Sequence, residues 1–422
     1  MGGSIRKQIL PSGMTLLTEE MSEFRSVCLG VWLRRGSRDE TPGENGVTHF
    51  IEHLVFKGTE NRTAREIART LDVIGGYSDA FTTKEYTCFY AKVLDRHLGQ
   101  AVDLLSDIVL HPLFDPVEIE KERKVIFEEI RMVEDTPDEL LFNEYFASIW
   151  AQHPLGRPIA GTLESVSSMS REAILDYFQR AYRSGNLILS AAGHLTHEAL
   201  AELVGNAFEA LPSGNGFAEP TPPSYRAKVV LRDKPELEQL HLCLGVPAFS
   251  ESDERRHAGH LLSAILGGTM SSRLFQAVRE DRGLVYSIFS SLDGFADTGC
   301  LSVYLATAPK QAREAVDVVL DELRRIRREP VTTQELSEAK EHLKGSMVLS
   351  MESSSSRMSR LAKQEIYFGR QSRLDVTLAE VEAVTVEQVH GLAAELLGDG
   401  ELSLAALGRG EESGLSAEPL RL

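Results

Sequence analysis

The sequence has no run of about 18 apolar residues, the length that a membrane-spanning helix requires. The N-terminal segment MGGSIRKQIL has no apolar stretch followed by small residues, so we expect no secretory signal peptide. Cysteine is scarce: the four residues lie far apart without a CxxC pair, which argues against a disulfide framework or a thiolate metal site. These absences predict a cytoplasmic protein, not inserted in a membrane, with reduced and buried thiols.

Basic residues are also in the minority, with 45 lysines and arginines against 63 aspartates and glutamates and a net charge of −18. Because no basic patch is available to neutralise phosphates, we expect no nucleic-acid partner. The acidic residues are spread along the chain rather than gathered in a tail. This pattern favours a solvated acidic surface, and the alternative is a mild preference for basic ligands.

A proline-rich stretch divides the chain, which at 422 residues is too long for one ordinary core. The segment LPSGNGFAEPTPPSY, residues 211–225, contains four prolines and two glycines in a polar context, which is typical of a linker. We therefore predict an N-terminal domain over residues 1–212, a linker over 213–225 and a C-terminal domain over 226–422.

The two halves resemble each other. Residues 162–193 and 377–408 align without a gap at an offset of 377 − 162 = 215, and each contains an amphipathic helix, a glycine and a short apolar strand. Elsewhere, long helical runs separate groups of strand-like segments. This arrangement predicts an α+β fold of two duplicated α/β-sandwich domains, each a largely antiparallel sheet with helices packed mainly on one face.

The segment GVTHFIEHLVFKGT, residues 46–59, contains the pattern H-x-x-E-H. On a helix, His49 and His53 lie one turn apart on the same side, where two imidazoles can bind a divalent metal, most often zinc. Glu52 lies on the adjoining turn and can take a proton from water. A chance occurrence is the alternative, but the apolar neighbours supply a buried face that would hold such a helix in place.

A third metal ligand is expected in FDPVEIEKERKVIFEEIRMVEDTP, residues 114–137, where a helix is predicted to start at Pro116 and to be stopped by Pro137. Glu122 and Glu129 fall on its apolar stripe, whereas Glu128 falls on its polar side. An inward carboxylate is costly unless it meets a cation or a donor. Periodicity therefore indicates Glu129 or Glu122 as the third ligand, and pairing of these glutamates with arginines inside the fold remains the alternative. The apolar stripe itself consists of Ile119, Ile126, Ile130 and Val133.

With these motifs the whole chain resembles the pitrilysin superfamily of zinc metallopeptidases, the inverzincins. It is most similar to bacterial relatives of the catalytic (beta) subunit of the mitochondrial processing peptidase. The resemblance implies one zinc ion per chain, with the third ligand at Glu129 in the context VIFEE, 129 − 53 = 76 residues after His53. It also implies that Glu122 orients a ligand histidine.

The resemblance implies a peptide-binding edge strand in GGYSDAFTTKEYTCFYAKV, residues 75–93. There Asp79, Ala80 and Phe81 would contact a substrate that adds to the sheet as an extra strand. Relatives usually have asparagine in place of Asp79. The aspartate either favours a basic substrate residue or alters the pH dependence, or it is a harmless turn substitution.

In the second half, SSRLFQAVREDRGLVYSIFSS, residues 271–291, matches the Arg/Tyr element of the family. The resemblance implies that Arg279 and Tyr286 bind the substrate backbone and help to polarise the scissile carbonyl. His257 and His260 lie in the region equivalent to residues 46–59 but form no H-x-x-E-H, so no second zinc site is predicted.

In this family, two such two-domain chains close around a chamber. The Arg/Tyr element that faces each zinc comes from the opposite chain. The resemblance therefore implies a homodimer with composite sites, acting as an endopeptidase on unstructured peptides or exposed protein segments. A non-catalytic scaffold subunit and a partner that activates a separate catalytic subunit are the alternatives. Such subunits typically lose part of the zinc motif, which is complete here. Two further histidines, His194 and His197, follow a strand and are expected at the surface.

Overall fold

The computed structural model describes residues 3–217, 221–398, 400–416, 418 and 420–422. The strands are β1 (Ser4–Ile9), β2 (Thr15–Glu20), β3 (Ser26–Leu33), β4 (Tyr77–Thr82), β5 (Thr87–Leu94), β6 (Leu187–Gly193), β7 (Val229–Asp233), β8 (Leu240–Ala248), β9 (Val285–Gly294), β10 (Gly299–Thr307), β11 (Glu401–Gly408) and β12 (Leu420–Arg421). The helices are α1 (Val47–Leu54), α2 (Ala64–Asp72), α3 (Leu98–Leu110), α4 (Pro116–Glu134), α5 (Pro137–Ile149), α6 (Leu163–Ser168), α7 (Arg171–Ala181), α8 (His197–Ala207), α9 (Arg256–Ser263), α10 (Ala312–Arg328), α11 (Thr333–Ser350), α12 (Ser354–Phe368), α13 (Leu374–Ala383) and α14 (Val386–Leu396).

The chain forms two compact units, and neither unit is a continuous half of the sequence. The first unit comprises Met1–Met132, Arg157–Pro220 and Leu349–Arg373. The second unit comprises Val133–Gly156, Thr221–Val348 and Leu374–Leu422. The division predicted from the linker instead assigned residues 1–212 and 226–422 to separate domains, so α5 and α12 are grouped differently in the structure.

The first unit contains a six-stranded sheet in the order β1-β2-β6-β3-β5-β4. Only β2 and β6 pair in parallel, and the other neighbouring strands pair antiparallel. Alternate residues of β3 point to opposite faces: Val27 and Leu29 join the core beneath most of the helices, whereas Cys28 and Trp32 pack against α12. Among the described strands β4 pairs only with β5, so it forms one edge of this sheet.

The second unit repeats this design with a sheet in the order β12-β11-β8-β10-β9, in which β7 also pairs with β11. Its main core lies under α9, α10, α11 and α14, and α5 covers the opposite face of the sheet. In the described part of the chain, β9 forms an edge that corresponds to β4 in the first unit. The predicted class, two α/β sandwiches with largely antiparallel sheets, is confirmed.

The repeat found in the sequence appears as α7 with β6 in the first unit and α14 with β11 in the second. Each pair ends at a glycine with positive φ: 139° at Gly193 and 135° at Gly408. A Cβ atom on Gly193 would lie 2.2 Å from the carbonyl oxygen of Ser26, and one on Gly408 would lie 2.7 Å from that of Gln239. Both strands therefore end where only glycine fits easily.

All four cysteines are buried and free. The expectation that His197 lies at the surface is wrong: it is 2% exposed, and its ring bonds the Thr18 hydroxyl at 2.8 Å and Gln8 Oε1 at 2.9 Å. These partners lie on β1 and β2, distant in sequence, so local pattern could not reveal them. No helix among the described residues combines the length and apolarity needed to span a membrane.

Candidate metal centre

Helix α1 is held by its apolar face and by a buried carboxylate at its start. Val47, Phe50, Ile51 and Leu54 are each at most 1% exposed. Glu40 accepts hydrogen bonds from the backbone N–H groups of Gly46 at 2.9 Å and Thr48 at 3.0 Å, which satisfies donors at the start of the helix. Burial raises the pKa of Glu40 to about 7. With the apolar side held in the core, the two histidines and Glu52 occupy the half-buried side of the helix.

Helix α4 places one glutamate opposite both histidines. Oε2 of Glu129 lies 3.5 Å from Nε2 of His49 and 3.5 Å from Nε2 of His53. Among the described residues, these three form the one group of potential metal ligands, with donor atoms within 4.8 Å of one another. Glu128 is instead 73% exposed at its side chain and pairs with Arg131. The structure therefore brings together the three residues that the family resemblance indicates.

Glu122 occupies a different position, behind the ring of His53. It is 5% exposed. Its Oε2 lies 3.2 Å from Nδ1 of His53, and its Oε1 lies 2.8 Å from Nζ of Lys57. The hydrogen bond to His53 matches the orienting role that the resemblance implies for Glu122, and periodicity alone could not distinguish this role from direct ligation.

The ring of His49 is electrostatically different from an exposed histidine. Burial, together with the neighbouring His53 ring at 4.7 Å, lowers the pKa of His49 to about 4. At neutral pH the imidazole is therefore uncharged, which is the form that coordinates a metal. Its buried Nδ1 has no hydrogen-bond partner among the described residues.

The carboxylate of Glu52 contacts the edge strand β4. The Thr82 hydroxyl, at the end of β4, donates a hydrogen bond of 2.5 Å to Glu52 Oε2. Burial raises the pKa of Glu52, the Thr82 hydrogen bond opposes this rise, and Glu129 and Asp79 add to it. Sequence reasoning missed Thr82, although strand alternation places it on the same side of β4 as Ala80.

The remaining candidates near α1 lie on β4. Asp79 is exposed, its Oδ1 accepts from the N–H of Ala80 at 2.9 Å, and its Oδ2 accepts from the Tyr90 hydroxyl at 3.4 Å. Burial and the nearby Asp79 carboxylate raise the pKa of Tyr90 to about 12. Phe81 packs edge-on against Trp32, with ring centroids 5.6 Å apart, and so anchors the strand.

The Arg/Tyr pair lies in the second unit. Arg279 belongs to a π-helical turn, Phe275–Glu280, and its guanidinium carbon lies 5.5 Å from the ring centre of Tyr286 on β9. The same guanidinium lies 4.7 Å from the ring centre of Phe275. Tyr286 is 76% exposed, so this cation–π pair is accessible on its edge strand.

The donor set of the first unit fits zinc. Ligand distances of about 2.0–2.2 Å in tetrahedral geometry place neighbouring ligand atoms about 3.3 Å apart. The two contacts between Glu129 and the histidines, at 3.5 Å, are close to this spacing. Two histidines and one carboxylate also leave a fourth position open, which is characteristic of catalytic rather than structural zinc sites.

Comparison with protein families identifies two matches along the chain. Residues 15–163 match the family model described as insulinase (peptidase family M16), and residues 168–343 match the peptidase M16 inactive domain. An uncharacterized zinc protease of Bacillus subtilis, YmxG, is 40% identical over 394 residues, which cover 93% of this chain and 95% of the relative. An uncharacterized zinc protease of Streptomyces coelicolor is 39% identical over 405 residues, covering 94% and 88%.

Solved structures share the fold at lower sequence identity. A peptidase M16 inactive domain from Pseudomonas fluorescens superposes with a TM-score of 0.90 at 21% identity, covering 96% of this chain and 98% of the other. A protease from Helicobacter pylori gives a TM-score of 0.91 at 21% identity, covering 97% and 100%. The fold described above is therefore shared with these proteins.

Proposed function

The chain belongs to peptidase family M16, in agreement with its resemblance to the pitrilysin superfamily. We therefore propose that it is a zinc-dependent endopeptidase. Its substrates are unstructured peptides or exposed segments of proteins. His49, His53 and Glu129 hold one zinc ion per chain. The observation that carries the proposal is the convergence of these three ligand atoms beside Glu52, a half-buried glutamate on the helix that carries both histidines.

Bound zinc supplies a Lewis acid that polarises the scissile carbonyl and acidifies water. Glu52 removes a proton from the attacking water and then delivers a proton to the leaving amine, so that one carboxyl group serves both steps. The Thr82 hydrogen bond holds this carboxylate in one orientation. The neutral His49 and the hydrogen-bonded His53 keep their Nε2 atoms directed toward Glu129.

The substrate binds as an extra strand on the free edge of β4, near Asp79, Ala80 and Phe81. Backbone hydrogen bonds to an edge strand require an extended peptide, which explains a preference for unstructured segments. Arg279 and Tyr286 contact the substrate backbone and help to polarise its carbonyl. Support for their role comes from the cation–π pair and the exposure of the Tyr286 ring.

The proposal is tested with zinc-loaded protein and a mixture of quenched, unstructured peptides. Glu52→Gln removes the base but keeps the shape of the side chain, and we expect it to lower kcat by about 100-fold or more while zinc is retained. Glu128→Gln removes the same charge from an exposed neighbour of Glu129 and should behave like the parent. A chelator should abolish the parent's activity.

Silence of the parent with zinc bound would contradict self-sufficient catalysis and favour the alternative, a subunit that depends on a separate partner chain. Equal activity of the parent and Glu52→Gln would contradict the role of Glu52. Either outcome is readable without knowledge of the natural substrate.

We also propose a cytoplasmic homodimer in which each zinc site is completed by Arg279 and Tyr286 of the other chain. Mixing Glu52→Gln chains with Arg279→Ala chains should then restore activity, because a mixed dimer contains one site with both elements intact. Random pairing predicts about a quarter of the parent's active sites. No recovery after dissociation and mixing would contradict composite sites.

A further inference from the structure

A lysine lies behind the predicted metal ligands at a position that the mechanism above does not use. Lys57 follows α1 in a turn, and its backbone N–H donates to the carbonyl of Leu54 at 3.0 Å. Its ammonium lies 2.8 Å from Oε1 of Glu122, whose Oε2 lies 3.2 Å from Nδ1 of His53. Lys57, Glu122 and His53 therefore form a continuous line of polar contacts that ends at Glu129, 3.5 Å beyond Nε2 of His53.

The direction of these hydrogen bonds follows from the groups involved. An ammonium can only donate, so Lys57 uses Oε1 of Glu122 as an acceptor. The other oxygen then accepts from Nδ1–H of His53, which leaves the lone pair on Nε2 and directs it toward Glu129 and His49. In metal sites the hydrogen bond on one ring nitrogen determines which nitrogen coordinates.

We propose that Lys57 is a positioning residue of the zinc site, which acts through Glu122 to hold His53 in its metal-binding tautomer and orientation. Glu122 has a side chain only 7% exposed, so without a cation its charge would be costly to bury. Lys57 is 34% exposed at its side chain, and so keeps part of its contact with water while it neutralises the carboxylate.

The two histidines differ in what lies at their Nδ1 atoms, and this difference supports the proposal. His53 has the Glu122–Lys57 pair behind it, whereas Nδ1 of His49 has no hydrogen-bond partner among the described residues. Of the two histidines, only His53 therefore donates an Nδ1–H hydrogen bond that selects its tautomer. This inference rests on His53 as a zinc ligand, which belongs to the proposed function, but it does not depend on peptide cleavage.

The test measures the zinc Kd of the full chain by competition with a chromogenic chelator. Lys57→Met keeps the length of the side chain but removes the donor, and we expect about tenfold weaker binding, the lower end for partners of metal ligands. Lys57→Arg keeps a donor and should stay within about threefold of the parent. Lys124→Met removes the same charge from an exposed position on α4 and should leave the Kd unchanged.

A second readout separates positioning from a general loss of packing. Nitrogen-15 spectra of the zinc-free parent should show His53 as a single Nδ1–H tautomer, and Lys57→Met should show a mixture. In a Glu122→Gln background, Lys57→Met should have no further effect on the Kd, because Lys57 acts through that carboxylate.

Three outcomes would overturn the inference: a parent-like Kd and tautomer in Lys57→Met, an equal loss in Lys124→Met, or a full additional loss in the Glu122→Gln background. A parent that binds no zinc would overturn both the inference and the proposed function. A parent that binds zinc as expected but cleaves no peptide would overturn the function alone.

Discussion

The two units contain similar helices whose histidines have very different partners. Helices α1 and α9 each contain eight residues, and each carries two histidines beside a six-stranded sheet. On α1 the histidines are four residues apart and face Glu129. On α9, His257 and His260 are three apart; His257 is 8% exposed and bonds Glu380 Oε2 at 3.1 Å, and burial lowers the pKa of both rings.

Helix α4 in the first unit and helix α11 in the second also differ in the partners of their glutamates. Helix α4 directs Glu122 and Glu129 toward the histidines of α1. In the second unit Glu335 of α11 lies in a cleft lined by Ala264, Ile265, Thr269, Ser271, Ser272, Glu338, Ala339 and His342, but its carboxylate is engaged by Arg273 at 2.6 and 3.0 Å. A duplicated framework thus places a carboxylate on a comparable helix in both units, and its partners are two histidines in the first unit and an arginine in the second.

The largest expected effect comes from breaking the metal cluster. His53→Ala removes a direct ligand, so zinc affinity should fall by more than about 100-fold, the upper end for mere partners of ligands. His257→Gln changes the corresponding unit without touching the cluster and should leave one zinc per chain. Zinc content and Kd of the purified variants decide this, and a loss of zinc in His257→Gln would contradict the assignment of the site to the first unit alone.

A smaller effect is expected at Thr82, which has no role in zinc binding. Thr82→Val replaces the hydroxyl by a methyl group and leaves Glu52 without its donor. A hydrogen bond to a charged group contributes about 1.5 kcal/mol or more, so kcat should fall about tenfold with little change in KM. Thr82→Ser should recover most of the rate. A parent-like kcat in Thr82→Val would show that Glu52 needs no such support.

Two carboxylates, one in each unit, should give opposite pH dependences of stability. Burial raises the pKa of Glu40 to about 7, so the folded state favours the protonated carboxyl group. The contribution of Glu40 to the free energy of unfolding is therefore fully present below about pH 4.5 and is lost as pH rises through 7. Burial opposes the shift of Glu335, but hydrogen bonds from Arg273 and from Thr332 lower its pKa to about 2. Its contribution is present above about pH 4.5 and is lost as pH falls toward 2.

Urea unfolding at pH 5 and pH 7 measures this difference. Between these values Glu40 should reduce the free energy of unfolding by at most about 1.4 kcal/mol per pH unit, and Glu40→Gln should abolish this slope. Glu335→Gln should leave the slope in this window intact and flatten the loss below pH 4.5 instead. Identical slopes for the parent and Glu40→Gln would refute the shift of Glu40.

The smallest effect is expected at Asp79 on the edge strand. If its charge favours basic substrate residues, Asp79→Asn should lower kcat/KM for peptides with a basic residue a few-fold relative to neutral ones, since exposed charge pairs contribute at most about 1 kcal/mol. The ratio of kcat/KM for two matched peptides is the measurement. An unchanged ratio would contradict a preference for basic residues and leave an altered pH dependence or a harmless turn substitution.

Several features could be read from local pattern because they depend on neighbours in sequence. The spacing of four between His49 and His53 places them together on any helix, and the apolar residues between them make that helix amphipathic. The repeat at an offset of 215 reappears as matching helix–strand pairs with positive-φ glycines at their ends. Periodicity on α4 placed Glu122 and Glu129 on one face but could not separate their roles, because both point inward.

The sequence by itself thus determined the sandwich class and the duplication through its periodicity, and the family through the resemblance that its short motifs carry. Only the tertiary structure decided that α5 groups with the second unit and α12 with the first, that Thr82 bonds Glu52 and that Lys57 contacts Glu122. The physical reason is that an amphipathic pattern specifies which face of a helix is buried but not against what. Hydrogen bonds between residues distant in sequence exist only once packing has placed their atoms within about 3 Å.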